Sequence, residues 1–280
     1  MKYATYIKSV EINGLWGDKK HIVWNLRPDT NILSGVNGVG KSTILNKIIT
    51  NLHSHIGDIE KGMTPGGIIT LYPEDADAVR YDVIRSFDST LIPANVIAKI
   101  ADGNVRSELD WKLYELQRKY LDYQVNLANK MIEVLSSNNE DSQQNAIAIS
   151  RAKTDFQDIL DSLFTETQKT IDRTCNELQF IQFGEKISTY KLSSGEKQLL
   201  IILLTVLLED NQPYVLIMDE PETSLHIDWQ EKLLATIHRL NPNAQIILTT
   251  HSPAMIMNGW LDAVTEVNDI TIKDNCEPKD

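Results

Sequence analysis

A glycine-rich stretch that ends in lysine and serine carries the clearest chemical pattern in the sequence. Residues 35–42 read Gly-Val-Asn-Gly-Val-Gly-Lys-Ser and fit the phosphate-loop pattern G-x-x-x-x-G-K-[ST] without a mismatch. Its glycines allow successive backbone N–H groups to point at one anion, and the following helix adds the positive end of its dipole. The ammonium of Lys41 can neutralise the β- and γ-phosphates, and the Ser42 hydroxyl can bind Mg²⁺. The stretch therefore predicts a nucleoside triphosphate site, since an ordinary glycine-rich turn requires neither Lys nor Ser at these positions.

The predicted nucleotide contacts come from this loop and from the first turn of the helix after it. They are Gly35, Asn37, Gly38, Gly40, Lys41, Ser42 and Thr43. Trp16 is a candidate for stacking on the base, although a tryptophan more often belongs to a hydrophobic core.

An acidic pair follows an apolar run later in the chain. Residues 214–218 read Tyr-Val-Leu-Ile-Met and are followed by Asp219 and Glu220, which is typical of a strand buried on both faces with its acidic tip at the carboxyl edge of a parallel sheet. We expect Asp219 to hold Mg²⁺ through water and Glu220 to polarise the attacking water as general base. The alternative is a strand followed by an acidic turn without chemistry.

Two further stretches carry groups suited to phosphate. Ser193, Ser194 and Gly195 open an apolar helix; such an entry is a helix cap, and it can also present hydroxyl and N–H groups to an anion. His251 follows a second buried strand, predicted over 245–248, and would reach the same edge of the sheet. There it can sense a γ-phosphate, while a purely structural role is the alternative.

The middle of the chain has the hydrophobic spacing of two long helices. Apolar residues recur at steps of three and four from about Arg106 to Leu135, a polar stretch follows at 136–141, and a second stripe continues to about Leu178. This predicts an antiparallel helical hairpin with arms of roughly 40–50 Å. The tyrosines of the first stripe, Tyr114, Tyr120 and Tyr123, can be interpreted as stacking platforms for bases, but their spacing favours the interior of the hairpin.

Whole-chain properties restrict the class of protein. The 280 residues carry a formal net charge of −12, which opposes broad adhesion to nucleic acid or anionic membrane but leaves a local basic patch open. The most apolar run, at 199–208, is too short for a bilayer, which takes about 20 residues, and predicts a buried helix. Two cysteines, Cys175 and Cys276, lie far apart, and the N-terminus lacks the apolar core of a signal peptide. We expect a cytoplasmic protein without membrane partners.

Taken together and in this order, the four stretches resemble the motifs of the ABC-type ATPase superfamily. The resemblance implies an α/β P-loop head, a mixed sheet with helices, that binds ATP and Mg²⁺ and carries an inserted antiparallel helical hairpin. Its expected parts are 1–105 with the phosphate loop, 106–183 as the arm, and 184–280 with the remaining motifs. It also implies that Ser193 and Gly195 close on the γ-phosphate held by a second copy, in a head-to-tail homodimer. Ser194 and Glu196 depart from the usual glycine and glutamine of transporters.

A narrower resemblance rests on residues 222–230 and 249–253. These read Glu-Thr-Ser-Leu-His-Ile-Asp-Trp-Gln and Thr-Thr-His-Ser-Pro and look like the OLD-like and SMC/RecF-like ATPases, several of which act with an effector in anti-phage defence, as in Septu and retron-associated systems. With His251 only 29 positions from the end of the sequence, we expect any nuclease or toxin to be a separate chain.

Several interpretations stay open within that resemblance. The glutamine that couples nucleotide to the helical lobe is assigned to Gln117, with Gln124 and the region after Asp88 as alternatives. The function can be control of a partner effector in defence or stress, a RecF-like repair ATPase acting on nucleic acid, a transporter subunit, or an ATP-gated scaffold with negligible turnover. The acidic arm and the 222–226 sequence argue against the transporter.

Overall fold

The computed structural model describes residues 1–15, 20–57, 67–85, 105–137 and 141–272. Trp16, the candidate for base stacking, and Asp88 lie outside these residues.

A five-stranded parallel sheet forms the centre of the molecule, in the order β11-β3-β10-β9-β5. Its strands are β3 (Thr30–Ser34), β5 (Tyr81–Ile84), β9 (Tyr214–Asp219), β10 (Ala244–Thr249) and β11 (Val264–Glu266). Strands β3, β10 and β9 are neighbours, and because all three are parallel their carboxyl ends meet at one edge. The phosphate loop, His251 and the acidic pair follow these three strands, so the topology brings the predicted motifs together.

Helices and a second sheet cover the two faces of this central sheet. Both faces must be covered because the apolar side chains of β9 point alternately to one face and to the other. Val215 and Ile217 belong to the hydrophobic cluster around α1 (Lys41–Gly57), whereas Leu216 and Met218 belong to the cluster around α4 (Ser194–Leu208). Helix α4 is buried on nearly all sides, which confirms the buried helix predicted from the apolar run. Two shorter helices, α5 (Ile227–Leu240) and α6 (Pro253–Met257), follow β9 and β10.

The second sheet is antiparallel and packs beside α1. It consists of β12-β2-β1-β4, with β1 (Tyr6–Leu15), β2 (Lys20–Asn25), β4 (Gly67–Tyr72) and β12 (Thr271–Ile272). The buried side chain of Gln245 joins it to the central sheet: its Oε1 accepts from the N–H of Ile7 at 2.8 Å, and its Nε2 donates to the carbonyl oxygens of Ile7 and Arg27. A polar residue inside a buried strand is thus fully used in joining two sheets.

The predicted helical hairpin is confirmed. Helix α2 (Glu108–Ser136) begins with a capping box between Ser107 and Asp110, and α3 (Ser142–Leu163) returns along it after a short connection. Tyr120 and Tyr123 are buried within the hairpin, beside Phe156 of α3 in the case of Tyr120. They pack as core residues rather than base-stacking platforms.

The second helix of the hairpin is shorter than predicted, because α3 ends at Leu163 instead of about Leu178. Phe164 caps the helix, Gln168 in the turn that follows has a φ of 53°, and the chain then forms a three-stranded antiparallel sheet. That sheet comprises β6 (Lys169–Ile171), β7 (Gln179–Gln182) and β8 (Glu185–Ser188). Ile171 and Leu178 are buried, but in the small sheet and its connection. Threonines at 165, 167 and 170 have β-branched side chains that disfavour helix, and the hydroxyls of Thr165 and Thr167 donate to nearby carbonyl oxygens.

At 1.5 Å per residue the 29 residues of α2 span about 43 Å and the 22 residues of α3 about 33 Å. Across the described residues, no helix combines the length and apolarity that a membrane span requires.

Candidate functional site

An open pocket of about 640 Å³ lies at the carboxyl edge of β3, β9 and β10. Its lining residues are Asn37, Gly38, Gly40, Lys41, Ser42, Thr43, Glu220 and His251. Three separate strands thus deliver the phosphate loop, one residue of the acidic pair and the predicted sensor histidine to one cavity. This is the edge at which open α/β sheets bind nucleotides.

The phosphate loop has the backbone that an anion cradle requires. Gly38 and Gly40 have φ values of 80° and 104°, a region that side chains with a Cβ rarely adopt. Lys41 is largely buried as a residue but also lines the open pocket, and its ammonium donates to the carbonyl oxygens of Gly35 at 2.9 Å and Val36 at 3.3 Å. Burial lowers the pKa of Lys41, and the charges of the neighbouring carboxylates oppose that shift. A buried cation held only by neutral carbonyls is suited to an incoming phosphate.

Ser42, which lines the pocket, and Asp219, which lies next to Ser42 but does not line the pocket, are suited to Mg²⁺. The Ser42 hydroxyl donates to Oδ1 of Asp219 at 3.0 Å, and the Thr249 hydroxyl donates to the same oxygen. Neighbouring ligands of an octahedral Mg²⁺ ion with bonds of 2.0–2.1 Å lie about 2.9 Å apart. One hydroxyl and one carboxylate oxygen at this separation can both bind such an ion directly, so this spacing does not require the water that the sequence led us to expect between Asp219 and Mg²⁺.

Glu220 turns out of β9 toward the pocket by an unusual backbone conformation. Its φ is 47°, and its N–H donates to the carbonyl oxygen of Thr249 at 3.2 Å and to the Thr249 hydroxyl at 3.1 Å. Left-handed backbone at a non-glycine residue costs about 1–3 kcal/mol and persists where the surroundings enforce it. Here the neighbouring strand β10 enforces it, and the carboxylate of Glu220 faces the ring of His251, with 3.3 Å between Oε1 and Nε2.

Glu222 is the functional candidate that sequence reasoning left without a role. Its Oε1 accepts from the Thr250 hydroxyl at 2.6 Å and from the backbone N–H of His251 at 2.8 Å. The side chain is buried, and its Oε2 has no hydrogen-bond partner among the described residues. Glu222 therefore fixes the backbone that carries His251. The sequence did contain a sign of this role: Glu222 is a carboxylate two residues after the acidic pair, in the turn that leads from β9 back into the core.

The predicted signature residues lie at the start of α4 and do not line this pocket. Ser193 is the N-cap: its hydroxyl accepts from the N–H of Glu196, and its own N–H donates to that carboxylate. Ser193 and Ser194 are exposed, whereas Gly195 is buried. The two serines thus face solvent at the positive end of a helix dipole.

Glu196 replaces the usual glutamine for a reason visible in the structure. Its Oε1 lies 2.8 Å from the ammonium of Lys169 on β6, and both side chains are largely buried. Burial acts to raise the pKa of Glu196, but Lys169 and the Ser193 N–H outweigh it and hold the pKa below its ordinary value. The carboxylate therefore both caps α4 and neutralises a buried lysine.

Gly195 is required by a close approach between α4 and the loop after β9. A Cβ at this position would lie 2.3 Å from the carbonyl oxygen of Ser224. The start of the signature helix is thus packed directly against the segment that follows the acidic pair.

Gln117, the assigned coupling glutamine, is not brought to the phosphate pocket. Its Nε2 donates to the Thr189 hydroxyl at 2.9 Å, which joins α2 to the turn before the signature serines. Gln124 instead donates to the carbonyl oxygen of Asn176. The coupling assignment stays a prediction without support from the geometry within one chain.

The parallel sheet, the phosphate loop and the pocket at its edge define a P-loop ATPase of the ABC/SMC type. The described residues resemble the solved SmcHead bound to the C-winged helix domain of ScpA, with a TM-score of 0.52 at 16% identity over 90% of this chain and 91% of that one. At this identity the similarity shows the fold alone, and it confirms the predicted fold class.

Residues 93–257, more than half of the chain, match the family described as AAA domain, putative AbiEii toxin, Type IV TA system. The chain belongs to this family. The match includes the signature serines, the acidic pair and His251, while the phosphate loop lies before it. The predicted ABC/SMC-like ATPase class is thereby confirmed.

The sequence is also similar to two named bacterial proteins. The Retron Vc95 probable ATPase of Vibrio cholerae is 24% identical over 61% of this chain. Septu protein PtuA of Bacillus thuringiensis is 26% identical over 89% of this chain. The matched regions span 35% of the retron protein and 72% of PtuA.

Proposed function

We propose that this chain binds and hydrolyses ATP at the interface of a head-to-tail homodimer, and that the nucleotide cycle controls a separate effector protein in bacterial anti-phage defence or stress. The supporting observation is that the signature serine lies apart from the pocket that the other motifs form. Lys41, Ser42, Glu220 and His251 share one pocket, whereas Ser193 lies exposed outside it. A complete site then requires the exposed serine of a second copy.

Each residue of the pocket has a task in this proposal. The phosphate loop and Lys41 hold the β- and γ-phosphates, and Ser42 and Asp219 hold Mg²⁺, which would neutralise charge that develops on the phosphates. Glu220 accepts the proton of the attacking water, and His251, whose Nε2 lies 3.3 Å from Oε1 of Glu220, would be a second polar group beside that water.

The helical hairpin is the element through which we expect nucleotide to act on a partner. Helix α2 packs against α4, whose first turn carries the signature serines. A movement of α4 toward the nucleotide of the second copy would therefore displace the hairpin. The names of the retron and Septu relatives support a defence role, and the net charge of −12 favours a protein effector over nucleic acid as the partner.

Glu220→Gln should retain ATP binding while turnover falls at least a hundredfold, as expected for loss of a general base. Because ATP then stays bound between the two copies, this variant tests whether ATP holds the dimer together. With saturating ATP and Mg²⁺ we expect it to elute as a dimer, measured by size-exclusion chromatography with light scattering. Glu231→Gln, an exposed residue of α5, is the matched control and should behave as wild type. A Glu220→Gln protein that binds ATP but stays monomeric would contradict the proposal.

Mixing two inactive variants tests whether the site is shared between copies. Lys41→Ala and Ser193→Arg each inactivate both sites of a homodimer, but a mixed dimer contains one site with neither substitution. Statistical mixing then restores about a quarter of wild-type ATPase activity. If each site lay within one chain, mixing would restore none.

A further inference from the structure

A cluster of metal-ligand side chains lies outside the nucleotide pocket, where the end of the hairpin meets the loop after β9. Glu166, His226 and Asp228 each offer one ligand atom, and these three atoms all lie within 4.8 Å of one another on side chains of which Glu166 and His226 are exposed. We propose that these residues bind a divalent first-row transition-metal ion.

The chemistry of the set selects the class of ion. One imidazole nitrogen with two carboxylate oxygens is typical of Zn²⁺, Mn²⁺ or Fe²⁺, whereas Mg²⁺ and Ca²⁺ prefer oxygen alone. Bonds to Zn²⁺ are about 2.0–2.2 Å long, so two ligand atoms of a tetrahedral ion lie roughly 3.3–3.6 Å apart. Binding would require these side chains to rotate until the three atoms reach that spacing, with water at the remaining position.

The charges at the cluster also favour a cation. Two carboxylates lie within 4.8 Å of each other, and in the described part of the chain neither Glu166 nor Asp228 forms an ion pair with Lys or Arg. Asp228 faces only the imidazole of His226, with 3.6 Å between Oδ2 and Nδ1. The repulsion between two unneutralised carboxylates decreases when a metal ion binds between them.

The two elements that carry the ligands are held together next to the cluster. Trp229, on the first turn of α5, donates its indole N–H to the carbonyl oxygen of Leu163 at 3.0 Å and packs against Phe164. Leu163 ends α3 three residues before Glu166, and His226 is the residue before α5. The ligands are therefore pre-positioned by a contact that does not itself involve them.

A metal ion at this place would link the base of the hairpin to the segment against which the signature helix packs. His226 lies two residues after Ser224, whose carbonyl oxygen is the close neighbour of Gly195. The ion would thus restrain the relative position of hairpin and ATPase head without touching nucleotide.

Calorimetric titration of the full chain with Zn²⁺, after chelator treatment and in excess Mg²⁺ without nucleotide, tests the proposal. We expect one site, lost in His226→Ala and weakened at least tenfold in Glu166→Gln. His21→Ala is the matched control, since His21 faces a single carboxylate, Glu11, at 3.1 Å, and it should bind as wild type does. Binding raises the melting temperature of wild type but not of His226→Ala.

Absence of Zn²⁺ binding by the wild type would overturn the proposal, and so would equal affinity in His226→Ala and wild type. Because the titration contains no nucleotide, its result is independent of whether the ATP-dependent dimer forms.

Discussion

The ammonium of Lys197 lies 2.7 Å from Oδ1 of Asp110, and both side chains are almost fully buried. Asp110 also accepts from the N–H groups of Arg106 and Ser107 through its other oxygen, so it caps α2. Lys197 belongs to the first turns of α4, directly behind the signature serines. One carboxylate therefore holds the start of the hairpin to the start of the signature helix.

Removal of this carboxylate should be strongly destabilising. Asp110→Ala leaves the Lys197 ammonium buried without a partner and removes the acceptor for the N–H groups of Arg106 and Ser107 at the start of α2. We therefore expect a loss of about 3 kcal/mol in the free energy of unfolding. Lys197→Met combined with Asp110→Ala should cost less than the sum of the single changes, because the unpaired charge is gone. Urea unfolding of the four proteins measures the coupling, and strictly additive losses would contradict a direct pair.

Substitution of Lys41 should weaken nucleotide binding, and comparison with Glu220→Gln should separate binding from turnover. Lys41→Ala removes a charge-assisted contact to phosphate worth about 1.5–3 kcal/mol, so ATP affinity should fall by roughly 10- to 100-fold. Lys47→Ala, an exposed position on the same helix, should leave affinity unchanged. Binding is measured with a fluorescent ATP analogue. In cells, a scaffold without turnover would be disabled by Lys41→Ala but not by Glu220→Gln, whereas a working ATPase is disabled by both.

The pocket around the phosphate loop was the most predictable part of the molecule, because the motif requires fixed residues at fixed spacing. Gly38, Gly40 and Lys41 form a local motif whose backbone is determined within eight residues. The run 214–218 reads as a strand buried on both faces, and parallel pairing then places Asp219 and His251 at one edge without further information.

Features that depend on pairing between distant residues could not be predicted. The apolar spacing from Leu163 to Leu178 mimics a helix, yet Ile171 pairs with Phe180 in a sheet, and only the partner strand decides between the two structures. Likewise the sequence around Glu196 contains no sign of Lys169, which lies 27 positions earlier. Such ion pairs form through tertiary packing alone.

Glu222 should act on catalysis by positioning His251. Glu222→Ala leaves the His251 N–H and the Thr250 hydroxyl without their acceptor, at a cost of about 1–3 kcal/mol, and lets the histidine move relative to Glu220. We expect kcat to fall about tenfold while KM for ATP changes little, in steady-state assays. Glu222→Gln keeps the Oε1 acceptor and should restore most of kcat. A Gln variant as slow as the Ala variant would show that the charge, rather than the hydrogen bonds, is what matters.

The pH dependence of stability should reveal a carboxyl pair at the far end of α4. Burial, and then the charge of neighbouring Asp82, raises the pKa of Glu209 to about 7, which Arg80 and Lys119 offset only in part. Burial also raises the pKa of Asp82. The folded protein therefore binds more protons than the unfolded chain, whose glutamates titrate near pH 4.3. Stability from this pair is present below that pH and is lost as the pH rises toward 7.

Glu209→Gln reproduces the neutral form at every pH and should remove this loss. Relative to wild type we expect it to be more stable by about 1 kcal/mol at pH 8, a value kept small because the side chain is partly open to solvent. The difference should decrease as the pH falls through 6.5 and 5, and it should approach zero only near pH 4, where Glu209 is protonated in the folded and the unfolded wild-type chain alike. Urea unfolding at pH 5, 6.5 and 8 measures both proteins, with Glu231→Gln as the exposed control. Parallel stability profiles for Glu209→Gln and wild type would show that Glu209 titrates normally in the folded chain.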